Sequence, residues 1–248
     1  MMYHRRQSFL PLLICLTAST LLGVSASAQE RSYTGLVVGQ QRYQLDDLNA
    51  ALAGQQFPTL EESSFRIGIE SQSRKPGRHV WSGGLQVGFF EAGDARISAT
   101  DSRATSAGVF EARLGYGFDL LYPSAWDLLL GATLGTELGR IRTTVYESAQ
   151  PAVVDFAGTE RRNDYNFALL GITPTLTLQS IPFNISEQPT RVFVQGGYRI
   201  GSSSGLSRTA FPSEVAELEV GPRGVYLSLG FLVETTNWRT LLRRQAAD

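Results

Sequence analysis

Apolar and polar residues alternate one by one along much of this chain. Between residues 110 and 120 the apolar side chains occupy every second position, and the same period of two returns between 126 and 138. A period of two sends successive side chains to opposite faces of a β-strand, whereas a helix repeats every 3.6 residues. The stretch LGYGFDLLYPSAWDLLLGATLG, residues 114–135, is therefore predicted to be the closed end of a β-hairpin that turns at Pro123, and not one apolar helix.

The same alternation predicts seven strands in total. Their apolar positions fall in segments 65–69, 81–89, 110–120, 126–138, 168–178, 192–200 and 225–233. No Pro/Ser-rich linker divides this series, which favours one β domain.

An apolar face on every strand fits two architectures: a soluble barrel or sandwich with that face inward, or a membrane barrel with that face toward lipid. Residues 110–120 cover about 33 Å along a strand, or about 25 Å of height at a tilt near 40°. This height matches the apolar belt of roughly 25 Å in outer-membrane barrels. The predicted fold is an all-β, antiparallel up-and-down transmembrane β-barrel, and a soluble periplasmic β-barrel is the alternative.

The connections alternate in length. Short ones are predicted at 73–78, 122–125 and 180–190, and long ones at 91–106, 144–164 and 202–224. Outer-membrane barrels have short periplasmic turns and long external loops. An exported chain that begins and ends in the periplasm needs an even number of strands, so one strand is missing upstream of residue 65.

Residues 33–43 (YTGLVVGQQRY) are the candidate for this eighth strand. In the alternative, residues 29–62 form a periplasmic or lumen-filling segment, and the eighth strand lies within 93–105 or 206–221. The stretch LDDLNAALAG after the candidate strand predicts a short helix in an external loop, with Asp46 or Asp47 as its cap and Gly54 as its stop. Its apolar face consists of Leu48, Ala51 and Leu52.

The N-terminus predicts export. Residues 1–28 have a basic start, an apolar run and Ala26-Ser27-Ala28, the layout of a cleaved secretory signal. The predicted organisation continues with an N-terminal strand and short helical segment at 29–62, the barrel at 63–236 and a C-terminal tail at 237–248. The single cysteine, Cys15, falls in the signal, so neither disulfides nor thiolate metal sites are expected.

Ten charged residues fall on the polar faces of the predicted strands. The interior of an eight-stranded barrel is only wide enough for side chains, and an unpaired charge there costs several kcal/mol. We therefore expect these residues to pair in an ionic network that closes the lumen: Arg66, Glu70, Glu111, Arg113, Asp119, Asp127, Glu137, Arg191, Arg199 and Glu234.

Aromatic residues near the ends of the apolar band suit the two membrane interfaces. They are Tyr116, Phe118, Tyr122, Trp126 and Tyr198.

Little in the sequence predicts catalysis or cofactor binding. The only histidine beyond the signal, His79, lies beside the short turn near residue 76, at the predicted periplasmic end. No catalytic residue, cofactor site or metal site is assigned. The net charge of −1 provides no basic surface for nucleic acid.

Over residues 31–236 the pattern resembles the small outer-membrane β-barrel proteins of Gram-negative bacteria, the group of eight-stranded OmpA-like, OmpX-like and OmpW-like barrels. Gly224, Leu227 and Leu229 fit the spacing of that group's terminal assembly signal, but the chain continues through NWRTLLRRQAAD. The resemblance implies a monomer in the outer membrane with a structural or surface-interaction role. Outer-membrane lipid is the implied partner, with lipopolysaccharide or a surface ligand as candidates at the long loops.

Two other functions remain open on the sequence. One is a narrow, porin-like channel for small or apolar solutes. The other is a lipid-modifying barrel enzyme.

Overall fold

The computed structural model describes residues 31–74, 77–91, 93–98, 101–122, 124–147, 159–185, 188–202, 204–205, 207–208, 219–221 and 224–235. The predicted signal peptide and C-terminal tail lie outside the described residues.

Eight long strands form one closed antiparallel ring. They are β1 (Arg31–Arg42), β2 (Ser63–Arg74), β3 (His79–Phe90), β4 (Asp101–Asp119), β5 (Asp127–Glu147), β6 (Thr159–Gln179), β7 (Gln188–Ser202) and β8 (Gly224–Glu234). Each strand pairs with the next along the chain, and β8 pairs with β1. One helix, α1 (Asp46–Gly54), connects β1 to β2. The predicted all-β up-and-down barrel with a short helix near its N-terminus is confirmed.

The eighth strand is β1. Val38 lies opposite Ile67 of β2 and Leu229 of β8, so β1 fills the gap that would otherwise leave the sheet open. The requirement for an even number of strands, which placed a strand at 33–43, thus predicted this strand correctly. Since β1 closes the ring, the alternative that placed the eighth strand within 93–105 or 206–221 was wrong.

The expected side-chain cap of α1 was wrong, whereas its predicted end at Gly54 is confirmed. The residue that precedes α1 is Leu45, which makes no side-chain capping hydrogen bond, and Asp46 and Asp47 lie in the first turn instead. Carboxylates there still interact favourably with the positive end of the helix dipole. Gly54 is the last helical residue, and Gln55 follows it as the C-cap.

The predicted long connections are in part strand. Pairing between β4 and β5 continues to Asp101 opposite Glu147, and pairing between β5 and β6 continues to Glu147 opposite Thr159. A short strand, Gly93–Arg96, adds to the edge of β4. These residues lack the apolar period because they lie beyond the apolar band, yet their backbones still pair.

The outer surface of the ring is apolar and the interior is polar. On β5, Leu134 is 52% exposed while its neighbour Thr133 is 8% exposed. The outward apolar residues of β5 run from Leu128 to Leu138, about 25 Å of height at a tilt near 40°. Burying polar groups and exposing apolar ones is favourable only where lipid covers the outside.

No helix in the described part of the chain is long and apolar enough to cross a membrane.

Two aromatic rings in the barrel interior cover glycines on neighbouring strands. Phe167 lies opposite Gly139, and Phe193 lies opposite Gly230. A Cβ at either glycine would overlap the facing ring. These glycines are therefore required by close approach and not by backbone conformation.

We expect Gly139→Ala to destabilise the barrel by about 1–3 kcal/mol, since the added methyl group must displace the buried Phe167 ring. Gly196→Ala is the matched control, because a Cβ there meets no atom within 4 Å. Urea titration in detergent micelles, followed by tryptophan fluorescence, measures both. Equal stability of the two variants would contradict this role for Phe167.

Candidate functional site: the barrel lumen

The helix α1 covers one mouth of the barrel, which we call the helix end. We call the opposite mouth the turn end; it carries the β2–β3, β4–β5 and β6–β7 connections. Leu48 and Leu52 are one helical turn apart, and this spacing directs both toward the barrel interior. They pack in a buried apolar layer that also contains Tyr43, Leu45, Leu60, Phe90, Val109, Ile141, Phe167, Leu169 and Val220.

Polar contacts hold the segment around α1 in place. The Asn49 side chain donates to the backbone carbonyl of Leu60 (2.9 Å) and accepts from its N–H (2.9 Å). Gln44 forms a β-bridge to Gly221, and Arg103 donates to the backbone carbonyl of Gln55. The cover is therefore tied to both the β7–β8 connection and β4.

Below this layer lies the helix-side cluster, composed of Arg66, Glu111, Glu137 and Arg199. Arg66 Nη2 is 2.8 Å from Glu137 Oε1, and Arg199 Nη1 is 2.6 Å from Glu111 Oε1. Arg66 also pairs with Glu111, and Arg199 with Glu137. The Tyr43 hydroxyl donates to Glu137 Oε2 (2.7 Å) and accepts from Arg66, which links the covering segment to the ions.

The middle pair is Arg113 with Glu70. Arg113 donates to the Glu70 carboxylate and to the Tyr226 hydroxyl, and its guanidinium lies over the Tyr226 ring at 5.3 Å from the centroid. All three side chains are buried.

The turn-side cluster consists of Arg74, Asp119, Asp127 and Arg191. Arg74 Nη2 is 2.7 Å from Asp127 Oδ2, and Arg191 pairs with the same carboxylate. Asp119 Oδ1 accepts the backbone N–H groups of Leu121 (3.1 Å) and of Leu128 (3.3 Å), so this carboxylate holds the β4–β5 turn.

The structure brings most of the ten predicted lumen charges together. Eight of them form the ion pairs described above, and Asp119 is buried beside them. Glu234 lies half-buried at the end of β8, outside the clusters.

Sequence reasoning missed Arg74 because residues 73–78 were assigned to a turn. The spacing along β2 does indicate its position, because Arg66, Glu70 and Arg74 follow one another at intervals of four residues and share the inward face of the strand.

The formal charges of the lumen cancel in each half. Three arginines face three glutamates in the helix-side cluster and the middle pair, and two arginines face two aspartates in the turn-side cluster. Between the two halves the described side chains leave a cavity of about 20 Å³, bordered by Glu70, Gln72, Thr133, Thr177 and Gln195 among others. Such a volume holds about one water molecule.

The predicted interface aromatics lie at both ends of the apolar belt. Trp126 and Tyr122 are exposed at the turn end, where Tyr116 and Phe118 also lie, while Tyr198 faces outward opposite Val225, near the helix end. His79 lies outside the lumen at the turn end, where its Nδ1 hydrogen-bonds the Tyr116 hydroxyl. Within the described residues, His, Cys, Asp and Glu form no group of three suited to a metal ion.

Comparisons with known proteins give structural likenesses only. No protein-family model matches the chain. No curated protein matches it either.

Three solved structures represent these likenesses. One is Ail, the attachment invasion locus protein of Yersinia pestis, in complex with the heparin analogue sucrose octasulfate (TM-score 0.42, 11% identity, 84% of this chain and 99% of that chain). Another is Neisserial surface protein A (TM-score 0.35, 14% identity, 85% of this chain and 99% of that chain). The third is the outer membrane protease OmpT from Escherichia coli (TM-score 0.36, 10% identity, 86% of this chain and 99% of that chain). Since these TM-scores lie below 0.5, they carry no argument about activity or ligand.

The ring and its polarity therefore define the class of protein. Eight antiparallel strands with an apolar outside and a polar, ion-filled inside make a small barrel of the outer-membrane type.

Proposed function

We propose that this protein is an integral outer-membrane β-barrel whose lumen is closed and whose role is structural or one of surface interaction. The observation that carries the proposal is the helix-side cluster, in which Arg66 and Arg199 each bridge Glu111 and Glu137 across the lumen. Because the cluster is neutral and buried, separating its members would leave uncompensated charges at a cost of about 3–5 kcal/mol.

Three features support the closure. The apolar layer under α1 covers the helix end, the ionic clusters cross the interior, and the cavity between them is close to the size of one water molecule. An ion or solute would have to displace each of these in turn. A narrow channel is the second candidate, and the polar character of the lumen is the observation that favours it.

The membrane placement rests on the outward belt. Leu36, Ile69 and Leu176 on three different strands are each about half exposed, as expected of side chains that face lipid. The aromatics at the two ends of the belt would anchor the barrel at the interfaces.

A surface role is supported by the strands that continue beyond the belt. Residues 139–147 of β5 and 159–167 of β6 pair past the last outward leucine, Leu138, so both strands extend beyond the belt. In the proposed orientation the helix end is external, so lipopolysaccharide or a surface ligand would meet these segments. We assign no catalytic role, because the exposed His79 is bonded to Tyr116 at the other end.

Planar-bilayer recording tests the closed lumen. We expect the purified wild-type protein to show no sustained current, whereas removing the four charges of the helix-side cluster (R66A, E111A, E137A and R199A together) raises conductance if that variant inserts. A variant with residues 46–54 replaced by a Gly/Ser linker keeps all the ions and should stay closed. Sustained wild-type currents would contradict the proposal and support the channel.

A further inference from the structure

Four rings and an arginine meet on the outer face of the barrel at the turn end. His79 of β3 lies opposite Phe118 of β4, and Trp81 lies opposite Tyr116. The Trp81 and Tyr116 rings meet edge to face with centroids 5.0 Å apart, and the His79 ring lies 5.9 Å from Tyr116 and 5.6 Å from Phe118. The guanidinium of Arg78 lies over the Phe118 ring, 5.6 Å from its centroid. We call these five residues the turn-end aromatic site.

The contacts of Arg78 leave its positive charge unbalanced. Its Nη2 donates to the backbone carbonyl of Tyr122 (3.4 Å), and the Phe118 ring is its other contact. Both partners are uncharged, and the side chain is exposed. Arg78 forms no ion pair with any residue that the structure describes.

The surroundings of Arg78 contain no acidic residue on the outer face. The two connections that meet here, residues 75–78 and 120–126, include neither Asp nor Glu. The carboxylates that flank the second connection, Asp119 and Asp127, are buried in the lumen on the other side of the sheet. An anion that approaches from outside therefore meets a cation without meeting a carboxylate.

The site offers hydrogen-bond donors of three kinds. Arg78 provides a planar guanidinium fork that matches phosphate oxygens. Trp81 is 52% exposed and provides an indole N–H. His79 shares a hydrogen bond between Nδ1 and the Tyr116 hydroxyl. When that hydroxyl donates, the neutral imidazole carries its proton on Nε2 and provides a further N–H. Donors of this kind around a cation suit the phosphate of a lipid headgroup.

A gap in the apolar belt adjoins the site on the side toward the membrane centre. Gly83 is the next outward position of β3 after Trp81, about 7 Å farther along the strand. Its neighbours across the sheet are the small Ser71 on β2 and Leu114 on β4, and a Cβ on Gly83 would touch only the edge of Leu114, at 3.5 Å. An acyl chain can lie over Gly83 while its headgroup reaches Arg78. This arrangement favours a membrane lipid over a soluble anion.

We propose that the turn-end aromatic site binds the phosphate headgroup of an anionic phospholipid in the adjacent membrane leaflet, with an acyl chain over Gly83. The inference rests on the membrane placement proposed above and adds a ligand class and a site to it. An arginine at the helix end differs in one decisive respect: Arg42, with its side chain 65% exposed, is neutralised by Glu62 (Nη2 to Oε2, 2.6 Å).

Quenching of Trp81 fluorescence by brominated lipids tests the site. The replacements W126F and W238F leave Trp81 as the only tryptophan. This parent barrel is inserted into phosphatidylcholine vesicles that contain brominated phosphatidylglycerol or brominated phosphatidylcholine. We expect both lipids to quench Trp81, because it faces the membrane, and phosphatidylglycerol to bind beside it about tenfold more strongly, as a charge-assisted contact implies.

R78Q in the same parent should reduce this preference to within about twofold, because the glutamine has no charge. R42Q is the matched control and should keep the preference of the parent barrel, since its arginine is already paired. Circular dichroism and gel mobility establish that each variant keeps the folded barrel.

Three results would overturn the inference: equal binding of the two lipids beside Trp81, an unchanged preference in R78Q, or an equal loss in R42Q. Removal of the preference by millimolar inorganic phosphate would also overturn it and assign the site to a soluble anion. If neither lipid quenched Trp81, the membrane placement itself would be wrong, so the two failures are distinguishable.

Discussion

Replacing Glu137 by glutamine should destabilise the barrel by about 3–5 kcal/mol. The variant keeps the shape of the side chain but leaves Arg66 and Arg199 with one carboxylate, Glu111, between them. A buried guanidinium without its counter-charge cannot recover the solvation it lost, and removing one partner of a buried ion pair costs this amount. The Tyr43 hydroxyl also loses a charged acceptor, which loosens the covering segment.

Urea unfolding in micelles measures the change, with Glu62→Gln as the control. Glu62 pairs with Arg42 at the surface, where both side chains are well exposed, so its loss should cost about 1 kcal/mol or less. Adding Arg199→Gln to Glu137→Gln restores formal neutrality and should recover part of the loss. A Glu137→Gln barrel as stable as Glu62→Gln would show that the cluster contributes little.

Replacing Leu134 by arginine should cost about 2–4 kcal/mol and impair assembly into membranes. Leu134 lies on the outward face of β5, near the middle of the belt between Leu128 and Leu138, and is 52% exposed. A charge at the midplane of the bilayer must leave water, and this penalty decreases toward the interfaces.

Tyr146→Arg is the matched control, because Tyr146 has the same outward orientation on the same strand and is 46% exposed, but lies beyond the belt. We expect it to change stability by less than 0.5 kcal/mol. Folding yield into vesicles and the heat-modified shift in gel mobility measure both variants. If both arginines were tolerated equally, the outer face of the barrel would be in water and the membrane placement would be wrong.

Most of the barrel was predictable because strand periodicity is local. Alternation along each segment decides which side chains share a face, so the inward position of Glu111 and Arg113 and the outward position of Leu114 follow from the sequence alone. The need for an even number of strands likewise required β1. The spacing of Leu48 and Leu52 predicted the apolar face of α1.

The parts that sequence reasoning missed lie where the local signal ends. Strands β4, β5 and β6 continue past their apolar residues because backbone pairing needs no apolar side chains. The helix starts without a side-chain cap because packing in the barrel mouth, and not a capping hydrogen bond, holds its first turn.

The sequence by itself determined the apolar spans of the strands, their two faces and most of the charges that lie inside. Only the tertiary structure decided which charges meet: Arg66 reaches Glu111 and Glu137, 45 and 71 residues away, because ring closure and strand stagger bring β2, β4 and β5 to one level of the lumen. The same closure placed α1 over the mouth of the barrel. Periodicity is a property of neighbouring residues, whereas these contacts depend on the register of the whole ring.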